Sequence, residues 1–212
     1  MHFVNSPYII KKLYKQNLIW EIHSKEKNIY LTFDDGPNHE TSIWILKTLD
    51  NFDAKASFFC VGNNIKKNPD ILKKILAAKH TIGNHTFNHI NGWKTKTDDY
   101  IKNVLKCNKY IETSLFRPPY GKIRPLQIHR LKEKYNIILW SVLSYDFDKN
   151  VTKQECLKNV IANTKKGSIV VFHDNTKAKD NLFYALPRFL EYFTKKGYKF
   201  KALTREICNQ KD

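Results

Sequence analysis

Two adjacent carboxylates, Asp34 and Asp35, follow an apolar run and are succeeded at once by Gly36-Pro37. Neighbouring acids fixed by a tight turn can divide the work, one holding a cation while the other takes a proton. A turn alone would explain Asp, Gly and Pro, but it needs only one Asp. Farther along, His85 and His89 lie four residues apart, so that one helical turn could direct both imidazoles the same way. With a carboxylate from another segment they make a His2–carboxylate set, the donor type of catalytic zinc and related divalent ions. An isolated HxxxH pair is more simply two solvated or capping histidines; the paired acids shift the reading towards a metal.

His173 ends the apolar run Ile169-Val170-Val171-Phe172. Beside a metal, a histidine in that place is a candidate general acid, which Asp146 could orient and stabilise in its protonated form. Arg117 could pair with Asp34 and favour its carboxylate form. Pro118-Pro119 stiffens the loop that carries Tyr120. Without a site nearby, the same FRPPYG segment reads as a rigid connector with a surface ion pair.

These groups need a scaffold that brings five segments together. The chain alternates short β-rich runs with amphipathic helical stretches. The runs are Ile29–Phe33, Ala56–Val61, His80–Asn84, Ser114–Arg117, Ile137–Val142, Ser168–Phe172 and Tyr198–Leu203. Helical spacing predicts Thr41–Phe52, Pro69–Ala78, Thr97–Glu112, Pro125–Tyr135, Thr152–Thr164 and Ala178–Lys195. The alternation argues an α/β protein with a parallel sheet. Its regularity fits a closed or nearly closed barrel, with a doubly wound open sheet as the alternative. The polar residues singled out above fall just after successive runs, at the rim where such barrels build sites. Residues 29–212 form one domain in this reading. Residues 1–28 are an N-terminal extension packing on it: a short helix over Pro7–Tyr14, then LIWEI hairpinning back towards Ile29.

The 212 residues are 42% hydrophobic and 27% charged, ordinary for a globular protein. The net charge is +17, yet only five of the 37 basic residues are Arg (Arg117, Arg124, Arg130, Arg188, Arg205) and the Lys are spread along the chain. Specific nucleic-acid readers use Arg forks and clustered basic faces, so no specific nucleic-acid partner is expected. Cys60, Cys107, Cys156 and Cys208 form no CxxC pair and suggest neither a disulfide framework nor a thiolate zinc site. No stretch approaches the ~20 apolar residues of a transmembrane helix. The opening MHFVNSPYIIKKLYKQNLIW lacks an apolar core with a small-residue cleavage site. A cytoplasmic location is therefore the expectation, with cell-envelope association as the alternative; the oligomeric state is left open.

TFDDGP, HTFNH, FRPPYG, a WSV…YDF segment and SIVVFHD occur in that order between Thr32 and Asp174. Together they resemble the five motifs of the polysaccharide deacetylases (NodB homology, carbohydrate esterase 4-like), and the βα repeats extend the likeness from about Asn28 to about Leu203. The resemblance implies a distorted (β/α)7 barrel and removal of N-acetyl groups from amino sugars of a chitooligosaccharide or peptidoglycan type. An amidase acting on a small non-sugar amide and a non-catalytic glycan-binding relative are the alternatives. It implies a divalent metal, zinc foremost with Co2+, Mn2+ or Ni2+ as substitutes, held by Asp35, His85 and His89. Asp34 would be the base, tethered by Arg117, and His173 the acid, tethered by Asp146. The Tyr120 amide would help stabilise the oxyanion, and Val170 and Val171 would receive the acetyl methyl. The fourth motif departs from the family's Asp-x-x-Asp-Trp pattern: Leu143 replaces the first Asp, and Phe147 replaces Trp at the wall of the sugar site.

Overall fold

Buried parallel strands read as nearly continuous apolar runs because both faces are covered, and β1 (Asn28–Asp35) is buried along almost its whole length. It lies between β2 (Ala56–Cys60) and β7 (Ile169–His173). The computed structural model describes residues 17–209; the expected helix at Pro7–Tyr14 lies outside them. The remaining strands are β3 (Thr81–Asn84), β4 (Leu115–Phe116), β5 (Asn136–Ile137), β6 (Val142–Leu143) and β8 (Lys199–Phe200). All ladders between these strands are parallel, in the order β5-β4-β3-β2-β1-β7-β6, with β8 beside the start of β1.

The two ends of that order, β5 and β6, belong to one extended segment. Its first half pairs with β4 and its second with β7. An open doubly wound sheet cannot do this; the sheet is curled into a distorted (β/α)7 barrel. The single strand expected over Ile137–Val142 is broken in the middle by contacts from distant parts of the chain. There the carbonyls of Ile138 and Leu139 accept the Arg117 guanidinium, at 3.3 and 3.0 Å, and the Leu139 N–H goes to Ile19 O at 2.7 Å. LIWEI thus does not hairpin to Ile29. Ile19 bridges Ile138 and Glu21 bridges Ser168, closing the end of the barrel opposite the strand carboxyl termini. Gly167 permits this, since a Cβ there would lie 2.1 Å from the Ile22 carbonyl oxygen.

Helices α1 (Thr41–Asp50), α2 (Gly62–Lys67) and α3 (Pro69–Ala77) follow the first two strands. Then come α4 (Thr97–Cys107), α5 (Pro125–Leu131), α6 (Lys153–Asn163), α7 (Lys179–Lys195) and α8 (Arg205–Asn209). Thr152 and Glu155 form a capping box at the start of α6. At the other end of α4, Asn108 turns its side chain to Asn84 and Tyr135, and the helix stops short of the expected Glu112. The short α2 buries only Gly62 and Ile65, too few positions to show a period in the sequence. Among the described residues no helix is long and apolar enough to cross a membrane.

Strand alternation sorts the core into layers. Ile29, Leu31, Phe33, Val170 and Phe172 face Ile45, Leu49, Leu186 and Phe189 of the helical layer. Tyr30, Phe59, Leu115, Ile138 and Ile169 fill the barrel. The same alternation places Thr32 and Asp34 of β1, Val171 and His173 of β7, and Arg117 just past β4 on the inner side.

Candidate active site

Asp34 and His173 are register partners at the carboxyl ends of β1 and β7, so the sheet itself sets two candidate reacting groups side by side. Asp34 Oδ1 accepts Arg117 Nη1 at 2.6 Å. Arg117 is fully buried, and three more of its five N–H groups go to Thr32 Oγ1 at 2.8 Å and the two carbonyls named above. Its guanidinium lies 4.1 Å from the Phe59 ring centroid. Burial pulls the Arg117 pKa down and the Asp34 charge opposes that pull. A buried pair of this kind loses about 3–5 kcal/mol when one partner is removed.

On the neighbouring strand, His173 Nδ1 lies 2.7 Å from Asp146 Oδ1, and its backbone N–H donates to Asp146 Oδ2, also at 2.7 Å. Ser144 Oγ adds a donor to Oδ1 at 2.9 Å. Burial disfavours the imidazolium, but the charge and hydrogen bond of Asp146, with Asp35 and Asp34, outweigh it and raise the His173 pKa to about 9. Asp146 thereby favours the protonated form of His173.

Asp35 turns away from Asp34 through a left-handed backbone, φ 81°, and Asn64 Nδ2 holds its carbonyl at 2.8 Å. Asp35 Oδ1 lies 3.1 Å from His89 Nε2 and 3.7 Å from His85 Nε2. Donor atoms on one tetrahedral zinc, with bonds near 2.0–2.1 Å, sit about 3.3 Å apart. The set is therefore compact enough for one ion, all three ligand atoms falling within 4.8 Å of one another. Protonation states point the same way. His85 Nδ1 is 2.7 Å from the Arg117 carbonyl, an acceptor, so Nδ1 bears the hydrogen and Nε2 a lone pair. Burial lowers the His85 pKa to about 4, which keeps it neutral at pH 7. That lone pair faces Asp35 Oδ1, which is itself buried without a hydrogen bond. Converging lone pairs repel unless a cation lies between them, so these residues fit a divalent metal.

The histidine pair is not presented by a helical turn. Residues 85–91 form a loop in which Thr86 and His89 adopt φ of 64° and 54°. Asn84 Oδ1 takes the Thr86 N–H at 2.8 Å, and Asn103 Oδ1 takes those of Phe87 and Asn88 at 2.9 and 3.0 Å, which removes donors a helix would use. Tyr120 and Tyr145 also have positive φ, 61° and 59°. Left-handed non-glycine residues cost on the order of 1–3 kcal/mol each and gather at functional sites; here five of them surround the cleft.

The exposed Tyr120 meets the edge of His89, centroids 4.7 Å apart, and Phe147 meets His173 at 4.6 Å. These two rings wall the cleft beside His89 and His173. Val171 lies beneath, in register with Thr32 and Leu143. Val170 does not reach the site: it packs on the helical side of the sheet, because successive side chains of a strand face opposite ways.

Sequence reasoning passed over several residues that hold the site. Asp174, almost fully buried, accepts Thr41 Oγ1 and Ser42 Oγ at 2.5 Å each, and its N–H donates to Asp34 O at 2.7 Å. Burial raises its pKa to about 6 against the hydrogen bonds of Ser42, Thr41 and Asn38. A Cβ on Gly36 would fall 2.0 Å from Asp174 Oδ2, so the glycine of the DDGP turn is set by this contact. Asn64, Asn84 and Asn103 gave no signal, since asparagine is scattered through the whole chain.

Comparison with known proteins adds the following. The family model for polysaccharide deacetylase matches residues 21–135. A peptidoglycan-N-acetylglucosamine deacetylase of Bacillus cereus is 34% identical over 188 residues, covering 85% of this chain and 88% of that one. Among solved structures, the Bc1960 peptidoglycan N-acetylglucosamine deacetylase, bound to an N-oxidanyl-benzamide compound, has a TM-score of 0.85 at 30% identity, covering 93% of this chain and 95% of its own. BA3943, a CE4 family pseudoenzyme from Bacillus anthracis, has a TM-score of 0.79 at 25% identity, covering 91% of this chain and 69% of its own.

Proposed function

This chain belongs to the polysaccharide deacetylase family, and from that premise we propose that it hydrolyses the N-acetyl group of an amino sugar within a peptidoglycan-type or chitooligosaccharide chain. The products are acetate and a free amine on the sugar. One observation carries the reading: a His2–Asp cluster fit for a metal begins at the residue after Asp34, a carboxylate tethered by Arg117 whose register partner is a histidine tethered by Asp146.

Asp35, His85 and His89 would hold a divalent cation, zinc foremost, which would supply Lewis-acid polarisation of the acetyl carbonyl and acidify a water. Asp34 takes a proton from the attacking water. Arg117, itself held by Thr32 and two backbone carbonyls, keeps that carboxylate in place. The Tyr120 N–H helps hold the oxyanion that develops on the acetyl oxygen, a contact worth about 3–4 kcal/mol in comparable sites. His173 gives its proton to the leaving nitrogen as the carbon–nitrogen bond breaks, and Asp146 stabilises the imidazolium before that transfer. Val171 closes the floor near the acetyl methyl, and Phe147 limits the sugar's approach on the acid side.

A fold shared with a pseudoenzyme does not imply activity; the complete set of base, acid and ligands supports it here. The test is acetate release, with matching appearance of free amines, from N-acetylated glycan fragments with and without chelator. Release from peptidoglycan or chitin fragments that chelator abolishes is expected. Turnover of small amides alone, or binding of glycan without acetate, would overturn the reading.

A further inference from the structure

Asn175 stands two residues beyond His173, in the turn that leads into α7, and the reaction above makes no use of it. Its Nδ2 donates to Asp35 Oδ2 at 2.5 Å, and its Oδ1 accepts the Ala178 N–H at 3.0 Å. The second bond orients the first. An amide whose oxygen faces a backbone N–H must present its NH2 in the other direction, so Asp35 is met by a donor. The two oxygens of Asp35 are consequently unlike. Oδ2 is engaged by Asn175, whereas Oδ1 is buried, lacks a hydrogen bond, and is the atom that approaches both histidines. A carboxylate free at both oxygens can bind a cation through one or both and can swing between those modes. One pinned at Oδ2 offers a single oxygen in a fixed direction.

We propose that Asn175 is a positioning residue of the metal centre, holding Asp35 to single-oxygen coordination and tying the ligand to the turn that also carries the acid His173. The inference rests on the metal site put forward under the proposed function. Partners of metal ligands typically alter metal affinity by about 10–100-fold when removed.

Asn175→Ser separates this role from the turn's own needs, because a serine hydroxyl can still accept the Ala178 N–H but cannot reach Asp35. The measurement is Zn2+ and Co2+ affinity of the metal-stripped full chain, by competition with a chromophoric chelator, together with the visible spectrum of the Co2+ form. Affinity in the serine variant is expected to fall about 10–100-fold and the Co2+ bands to change as Asp35 rotates, while the metal-free melting temperature stays at the wild-type value. Asn175→Gln, which keeps an amide on a longer arm, recovers part of the affinity. Asn175→Thr, with the same hydroxyl and the same loss of reach, replaces the serine variant if that one is too unstable to titrate. Unchanged affinity and spectrum in the hydroxyl variants, beside normal metal binding by the wild type, would overturn the role of Asn175 alone. A wild-type chain that binds neither ion would overturn the metal site itself.

Discussion

Asp34–Arg117 and His173–Asp146 are ion pairs with buried supports on adjacent strand ends, yet in the proposed mechanism opposite members of the two pairs react. On the base side the cation is the support: Arg117 is fully buried and spends its guanidinium on Thr32, Asp34 and two carbonyls. On the acid side the anion is the support: Asp146 is 1% exposed and takes Ser144, the His173 ring and the His173 N–H. His173 Nε2 takes no hydrogen bond among the described residues. The charge held by several scaffold groups is fixed in place, and in the proposed mechanism its partner is the one that exchanges a proton with water or substrate. Residue type alone does not assign the roles; the count of partners does.

The comparison breaks most sharply at the base. Asp34→Asn removes the proton acceptor but no ligand, so acetate turnover should fall by about 10²–10⁴-fold while zinc content stays at the wild-type level. Loss of zinc in that variant would show that Asp34, too, is a ligand. Next comes the support. Arg117→Met strands Asp34 in a buried site, and chemical denaturation should report a loss of about 3–5 kcal/mol; an unaltered midpoint would mean water reaches the pair freely.

On the acid side the effect is one of pH. With the His173 pKa raised to about 9 from an ordinary 6.5 in the metal-free protein, and a cation on Asp35 opposing part of that rise, the rate should fall on an alkaline limb between those two values. The stability the pair contributes is complete below 6.5 and is lost as pH rises through about 9. Asp146→Asn withdraws the charge that raises it, and the alkaline limb should move down by about 1–3 units. An unmoved limb would assign it to another group. The smallest contrast lies on one strand. Val170→Ala should cost about 1–2 kcal/mol of stability with kcat and KM nearly intact, whereas Val171→Ala should change KM; equal kinetic effects would contradict the alternation of β7.

Much of this was legible in the sequence because the barrel obeys a repeating period and the motifs sit at strand ends. Asp34, Asp35, His85, His89, Arg117, Asp146 and His173 could be picked out as chemical types at those ends. What the sequence hid depends on partners distant along the chain. The spacing of His85 and His89 suggested a helix, and Asn84 and Asn103 hold a loop instead. The break after β5 comes from Arg117 capturing carbonyls, which no local pattern records. Val170 was placed in the site with Val171 although strand alternation separates neighbours. The turn residues Asp174 and Asn175 follow an obvious histidine, but their contacts with Thr41, Ser42 and Asp35 appear only once β1 and β7 are paired.

The most direct test of the account is acetate release from N-acetylated peptidoglycan fragments by one preparation, before and after its metal is stripped and then restored with zinc. Release that disappears with the metal and returns in proportion to the zinc bound is the predicted result. Equal release by the stripped protein, or none from the fully zinc-loaded one, would contradict it.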